Sequence, residues 1–121
     1  MFWDRSIETI APSELRDLQR NRLAETVARC QSRVPFYRER LAAAGVAPGS
    51  VDSLDDVRRL PFTTNADLRA SYPDGLLAVS RSEVTRLHTS SGTTGKPKAI
   101  FFSWGDVDRA ADLIARCLVM T

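Results

Sequence analysis

The sequence predicts an α/β chain of one modest unit: helix-rich through residues 1–80, then a strand, a loop, a second strand and a helix through 81–121. Three observations carry that reading. Apolar residues recur at helical spacing after Pro12 and again after Ser103. Short extended runs flank a glycine- and hydroxyl-rich stretch at residues 89–97. The length of 121 residues leaves little room for a second full domain.

Pro12 and Ser13 open a helix with Leu15, Leu18, Leu23, Val27 and Cys30 near one face, and Pro35 closes it. A second helix is expected from Phe36 to Ala44, ended by Gly45, which accepts a left-handed cap. Val46 to Gly49 then form a loop. "SLDD" at 53–56 and "TNAD" at 64–67 place an acid three residues after a hydroxyl, the reciprocal arrangement that satisfies free amides at a helix start, so two short helices follow. "YPDG" at 72–75 has the residue order of a turn. Val84 to Thr89 and Lys98 to Phe102 read as strands, with Val84, Arg86 and His88 on one side of the first. Ser103 and Asp106 start a last helix whose Trp104, Val107, Ala111, Ile114 and Leu118 repeat at three and four, with Trp104 expected to anchor it on the core.

Composition excludes several classes. The apolar runs are too short to span a bilayer, and the first residues lack a basic flank followed by an apolar stretch, so a cytoplasmic chain with no membrane partner is expected. Net charge is +2, and the arginines alternate with acids. Arg22, Arg29, Arg33, Arg38 and Arg40 therefore read as a solvated helix face rather than a nucleic-acid site. Cys30 and Cys117 are far apart in sequence and near no other ligand pattern, so both are expected to be reduced, small and buried, with no metal site.

The segment "HTSSGTTGKPKA", 88–99, holds both of the chain's lysines, Lys96 and Lys98. A linker of Ser, Thr and Gly is the plain alternative. Flanking strands and the Lys-Pro-Lys run favour a shaped loop instead. Glycines at 92 and 95 let backbone amides approach a ligand, the hydroxyls of Thr89, Ser90, Ser91, Thr93 and Thr94 can donate, and Lys96 adds a compact positive charge. That donor set suits a polyphosphate. The loop of kinases and GTPases does not fit, because Ser90 takes its first glycine position and Pro97 the place of its magnesium-binding hydroxyl. His88, Phe36 and Tyr37 are read as packing residues first.

At these residues the sequence resembles the adenylate-forming superfamily, whose phosphate loop reads Thr-Ser-Gly-[Ser/Thr]-Thr-Gly-x-Pro-Lys. More narrowly it is similar to the phenylacetate coenzyme A ligase branch, through "VPFYRERLAAAGV", "LPFTTNADLRASYPDGLLAV" and "RLHTSSGTTGKP" in that order. Two positions depart: Asn65 stands where the branch usually has lysine, and Lys98 is the superfamily lysine where the branch commonly has threonine. The resemblance implies the helix-rich N-terminal part of a large AMP-binding domain with a β-hairpin around the loop. It implies an enzyme that joins an aromatic carboxylic acid to AMP and passes the acyl group to coenzyme A, using ATP and Mg2+. Ser90, Ser91, Gly92, Thr93, Thr94, Gly95, Lys96 and Lys98 are carried over as ATP contacts, with no catalytic residue assigned.

The branch is much longer than this chain, so the resemblance implies an N-terminal fragment, inactive alone, whose Ile114 and Leu118 face meets the missing remainder or a second copy. Two rivals are an enzyme of the branch acting on a deazaflavin or other acceptor, and a non-enzymatic helical interaction module.

Overall fold

A computed structural model describes residues 1–89 and 98–119. In chain order these form α1 (Arg5–Glu8), α2 (Pro12–Arg33), α3 (Pro35–Ala43), a 3-10 turn (Leu54–Arg59), α4 (Asn65–Ala70), a second 3-10 turn (Arg81–Glu83), β1 (Val84–Thr89), β2 (Ala99–Ser103) and α5 (Trp104–Val119).

Pro35 separates α2 from α3, because it offers no N–H to continue the first helix and its fixed φ suits the first position of the next. Val34 between them is extended and only 1% exposed. α3 ends as its sequence predicts. Gly45 adopts φ 70°, its N–H bonds Ala42 O at 3.0 Å, and the Val46 N–H bonds Leu41 O at 2.9 Å. This paired closure turns the chain so that Val46 lands beside Leu41 in the core.

That core is small: Val27, Leu41, Val46 and Val51 are buried, with Leu23, Ala24, Cys30, Tyr37 and Leu60 packed around them. Buried Gln31 ties it together, its Nε2 donating to Val46 O at 2.9 Å. Only the second half of α2 takes part. Leu15, expected on the packed face, is 37% exposed because no described element crosses the first half of the helix.

The predicted helix after Ser53 is a 3-10 turn. Pro61 forces the preceding Leu60 into extended backbone (φ −77°, ψ 136°), which stops the segment before an α-helix can propagate. Its start is the expected one: Asp56 Oδ2 accepts from the amides of Ser53 and Asp52 at 2.9 and 3.0 Å. At α4, Asp67 Oδ2 accepts from both the amide and the hydroxyl of Thr64 at 2.7 Å. A pair that the sequence reading passed over, Ser80 and Glu83, builds the same arrangement before β1, with Ser80 N and Oγ donating to Glu83 at 2.9 and 2.7 Å.

β1 and β2 form one antiparallel pair, with Leu87 opposite Phe101 and Thr89 opposite Ala99. A bulge between Val84 and Arg86 changes the expected alternation. Val84 pairs with Ser103 while Arg86 pairs with Phe102, so Val84 does not share a face with Arg86 and His88.

α5 follows without a break, Asp106 Oδ2 accepting from Ser103 N and Oγ at 2.9 and 2.7 Å. The N-terminal segment reaches it through Trp3 Nε1, which donates to Asp112 at 2.6 Å, and through Arg116 with Glu8 at 3.4 Å. Trp104 is 68% exposed and does not anchor the helix, because no described element covers that side. Cys117 is likewise exposed, three residues after the exposed Ile114, while Cys30 is half-buried. Desolvation raises the Cys30 thiol above its ordinary pKa, so it stays protonated as a small packing group.

Candidate functional site

The loop of interest is closed by the hairpin. Thr89 and Ala99, the last residue of β1 and the first of β2, are paired. Ser90, Ser91, Gly92, Thr93, Thr94, Gly95 and Lys96 lie outside the described residues, and of the candidate ATP contacts Lys98 alone falls inside them.

Lys98 is half-buried, and its Nζ donates to Asn65 Oδ1 at 2.9 Å. This joins the exit of the loop to the first residue of α4, 33 positions earlier. The start of α4 is fixed in turn by Arg40 of α3. Its two terminal nitrogens each reach a different oxygen of Asp67 at 3.0 Å, and Arg40 also donates to Phe62 O at 2.7 Å. The Arg40 guanidinium sits over the Phe36 ring, 4.9 Å from its centroid. Sequence reading assigned Arg40 to solvent with its neighbours; that holds for Arg22, Arg29, Arg33 and Arg38 but not for Arg40, which is half-buried by these contacts.

Asp67 is held well below the ordinary carboxylate range, first by the Thr64 hydroxyl, then by the Thr64 amide, with Arg40 adding to both. It remains a carboxylate throughout the neutral range and is saturated with donors. It is therefore a fixed strut, not a proton carrier.

Between α4 and the hairpin opens a cleft of about 370 Å³, lined by Leu68, Arg69, Tyr72, Leu87, Thr89 and Lys98. Its lining combines an apolar floor with two cations and two hydroxyls, and holds no carboxylate. An anion with an apolar neighbour fits this mixture. Among the described residues, the lining offers Mg2+ no carboxylate. Among the described residues no cluster of three or more His, Cys, Asp or Glu could hold a metal.

His88 is exposed and packs its ring against Phe102 at 4.7 Å between centroids, a cross-strand contact in keeping with a packing role. Tyr37 lies against the core, edge-on to Phe36 at 5.1 Å, and shares a 2.8 Å hydrogen bond with Thr63. Both aromatics thus pack, as expected.

No protein-family model matches the chain. Curated relatives do. A phenylacetate-coenzyme A ligase of Thermus thermophilus is 47% identical over 118 residues, covering 98% of this chain and 26% of that protein. The chain is related to the phenylacetate-coenzyme A ligases along nearly its whole length. The Escherichia coli ligase of that name is 44% identical over 112 residues, again spanning 26% of its length, and the Aromatoleum evansii ligase shows the same identity and coverage. The chain thus spans about a quarter of the relatives that it matches.

Solved structures agree. A 2-hydroxyisobutyryl-CoA ligase in complex with 2-HIB-AMP and CoA superimposes with a TM-score of 0.85 and 31% identity, over 95% of this chain and 25% of the ligase. The same enzyme in a postadenylation state gives a TM-score of 0.84. The helix-rich chain with its hairpin therefore has the fold of one portion of an adenylate-forming CoA ligase. No helix among the described residues is long and apolar enough to cross a membrane.

Proposed function

We propose that this chain supplies the nucleotide-phosphate grip of an AMP-forming, acid–coenzyme A ligase acting on an aromatic acid of the phenylacetate type. The observation that carries the proposal is the 47% identity across 98% of the chain, supported by the Ser90–Lys98 motif and the Lys98–Asn65 contact.

In such a reaction a carboxylate oxygen attacks the α-phosphorus of ATP, and the bond to the bridging oxygen of pyrophosphate breaks. Coenzyme A sulfur then attacks the acyl carbon and releases AMP. The first step needs the β- and γ-phosphates held, and their charge offset, as pyrophosphate leaves. Hydroxyls of Ser90, Ser91, Thr93 and Thr94, amides around Gly92 and Gly95, and the ammonium groups of Lys96 and Lys98 are the donors assigned to that task. Mg2+ would be bound in part through the phosphates that it accompanies. A cytoplasmic setting belongs to the same proposal.

The acid pocket, the adenine site and the coenzyme A site are assigned to the three-quarters of the ligase length that this chain does not span. The exposed Leu113, Ile114 and Leu118 of α5, each more than half exposed, support a face made to be covered by that remainder.

The test is phenylacetate-dependent exchange of labelled pyrophosphate into ATP by a complete ligase carrying this segment. Lys96→Ala or Thr93→Ala should lower exchange about 100- to 1000-fold, the range for loss of a donor to a developing charge. Exchange unchanged by both substitutions removes the loop from the reaction.

A further inference from the structure

We infer that residues 3–8 form a clasp that fixes the direction and register of α5 against α2, gripping the helix by its polar stripe and leaving its apolar stripe turned away. The clasp acts on the placement of the hairpin and α5, and is independent of what the loop binds.

α5 is fixed at its start, because β2 runs into it and Asp106 accepts from Ser103 N and Oγ. A helix held at one end only can swing at the other. Two contacts oppose this, about two and three turns along. Trp3 Nε1 donates to Asp112 Oδ1 at 2.6 Å, and Arg116 Nε donates to Glu8 Oε1 at 3.4 Å. Asp112 and Arg116 are four residues apart and so share one stripe of the helix. Ile114, two residues from each, lies on roughly the opposite side and is 61% exposed.

The clasp is stiff where it grips. Glu8 Oε1 also accepts from the amides of Trp3 and Asp4 at 3.1 and 3.0 Å, which closes the segment on itself. Asp4 Oδ1 caps α1 by accepting from the amides of Ser6 and Ile7 at 3.0 and 3.3 Å. α1 ends at Glu8 and α2 begins at Pro12, so a short link carries the grip to the long helix whose second half builds the core. The polarity of the two contacts is crossed, since the clasp donates to Asp112 and accepts from Arg116. Sliding α5 by one turn would set the Trp3 indole N–H against Arg116, two donors, or Glu8 against Asp112, two acids.

Amide hydrogen exchange, followed by NMR on the unsubstituted chain and its variants, tests the clasp. Asp112→Ala should speed exchange of the α5 amides about three- to tenfold, the loss expected for one hydrogen bond, while the amides of Val27, Leu41 and Val46 stay as they were. The sign decides, because alanine is the better helix former and an effect confined to α5 would slow exchange there. Trp3→Phe removes the donor instead of the acceptor and opens no core cavity, Trp3 being 51% exposed. It should give the same acceleration, and the double variant no more than either single one. The chain's two tryptophans add a direct signal. Asp112→Ala should shift the indole N–H resonance of Trp3, assigned through Trp104→Phe, and leave that of Trp104 in place.

α5 exchange that Asp112→Ala leaves unaltered or slows overturns the clasp, and so does an unmoved Trp3 indole signal. Additive effects of W3F and D112A, or an equal acceleration in the core, overturn it as well.

Discussion

Leu41 shows how much the small core depends on single side chains. It is 4% exposed, sits one turn before the left-handed Gly45, and meets Val46, Val27 and Val51. Leu41→Ala should cost about 2–5 kcal/mol, since the lost contacts are compounded by a cavity. Chemical denaturation followed by circular dichroism measures it. The acid residues work differently. Asp56, Asp67, Glu83 and Asp106 each accept from a hydroxyl residue three positions earlier, and each is held below its ordinary pKa chiefly by that residue's amide or hydroxyl. Lowered folded-state values mean that their stabilisation is complete above the unfolded-chain values, 3.8 for aspartate and 4.5 for glutamate, and fades as pH falls through the lower folded ones. Thermal midpoints should therefore be flat from neutral pH to about 5 and fall steeply below about 4, with Asp67→Asn reducing the acid slope. A slope unaltered by that change would deny Asp67 its part.

At the scale of elements, the turn leading from α4 toward the hairpin is the tightest constraint. A Cβ on Gly75 would lie 2.7 Å from Ser71 O, a backbone atom that accepts the Gly75 N–H at 2.7 Å. Gly75→Ala must push the turn open and should cost about 1–3 kcal/mol, with the Tyr72 side of the cleft displaced. A thermal midpoint equal to that of the unsubstituted chain would show that the turn gives way freely. Most elements were legible in the sequence because their signals are local. Pro12 opens a helix, Pro35 closes it, Gly45 ends the next, and hydroxyl-x-x-acid marks the starts at 53, 64 and 103. The bulge at Val84–Arg86 was not legible, since it is a property of pairing with β2 and leaves no mark in β1 alone. Nor was the environment of Trp104, Cys117 or Leu15, because helical periodicity names a face without saying whether anything covers it. The loop and Lys98 were assigned as ATP contacts by motif alone. Their neighbours were not: Arg40 meets Asp67, and Asn65 meets Lys98, only through the tertiary fold. Asn65 did carry one signal, its departure from the branch's usual lysine, and in the structure its side chain accepts from Lys98.

For the molecule as a whole, the balance between buried and exposed apolar surface is the governing fact. Five hydrophobic residues are buried among the described residues, whereas Leu87, Ile100, Trp104, Leu113, Ile114 and Leu118, all on the hairpin and α5, are each at least half exposed. A lone pair of strands is marginal without further strands or a covering layer, which α5 provides only in part. The hairpin and α5 should accordingly be the least protected part of the chain alone, exchanging amide hydrogens faster than the Val27–Leu41–Val46 region; equal protection would contradict a face that awaits a partner. The same reasoning predicts that Ile114→Glu with Leu118→Glu leaves the core's stability within about 0.5 kcal/mol but blocks assembly with the remainder of a ligase. The claim on which all of this turns is that residues 90–98 grip the phosphates of ATP for an acid-activating enzyme. Its most direct measurement replaces the matching quarter of the Thermus thermophilus ligase with this chain and follows phenylacetate-dependent pyrophosphate–ATP exchange. Exchange by the folded hybrid, lost when Lys96 and Lys98 are both changed to alanine, is the result predicted. A folded hybrid that exchanges equally well with both lysines removed, or whose unsubstituted form shows no exchange, would contradict it.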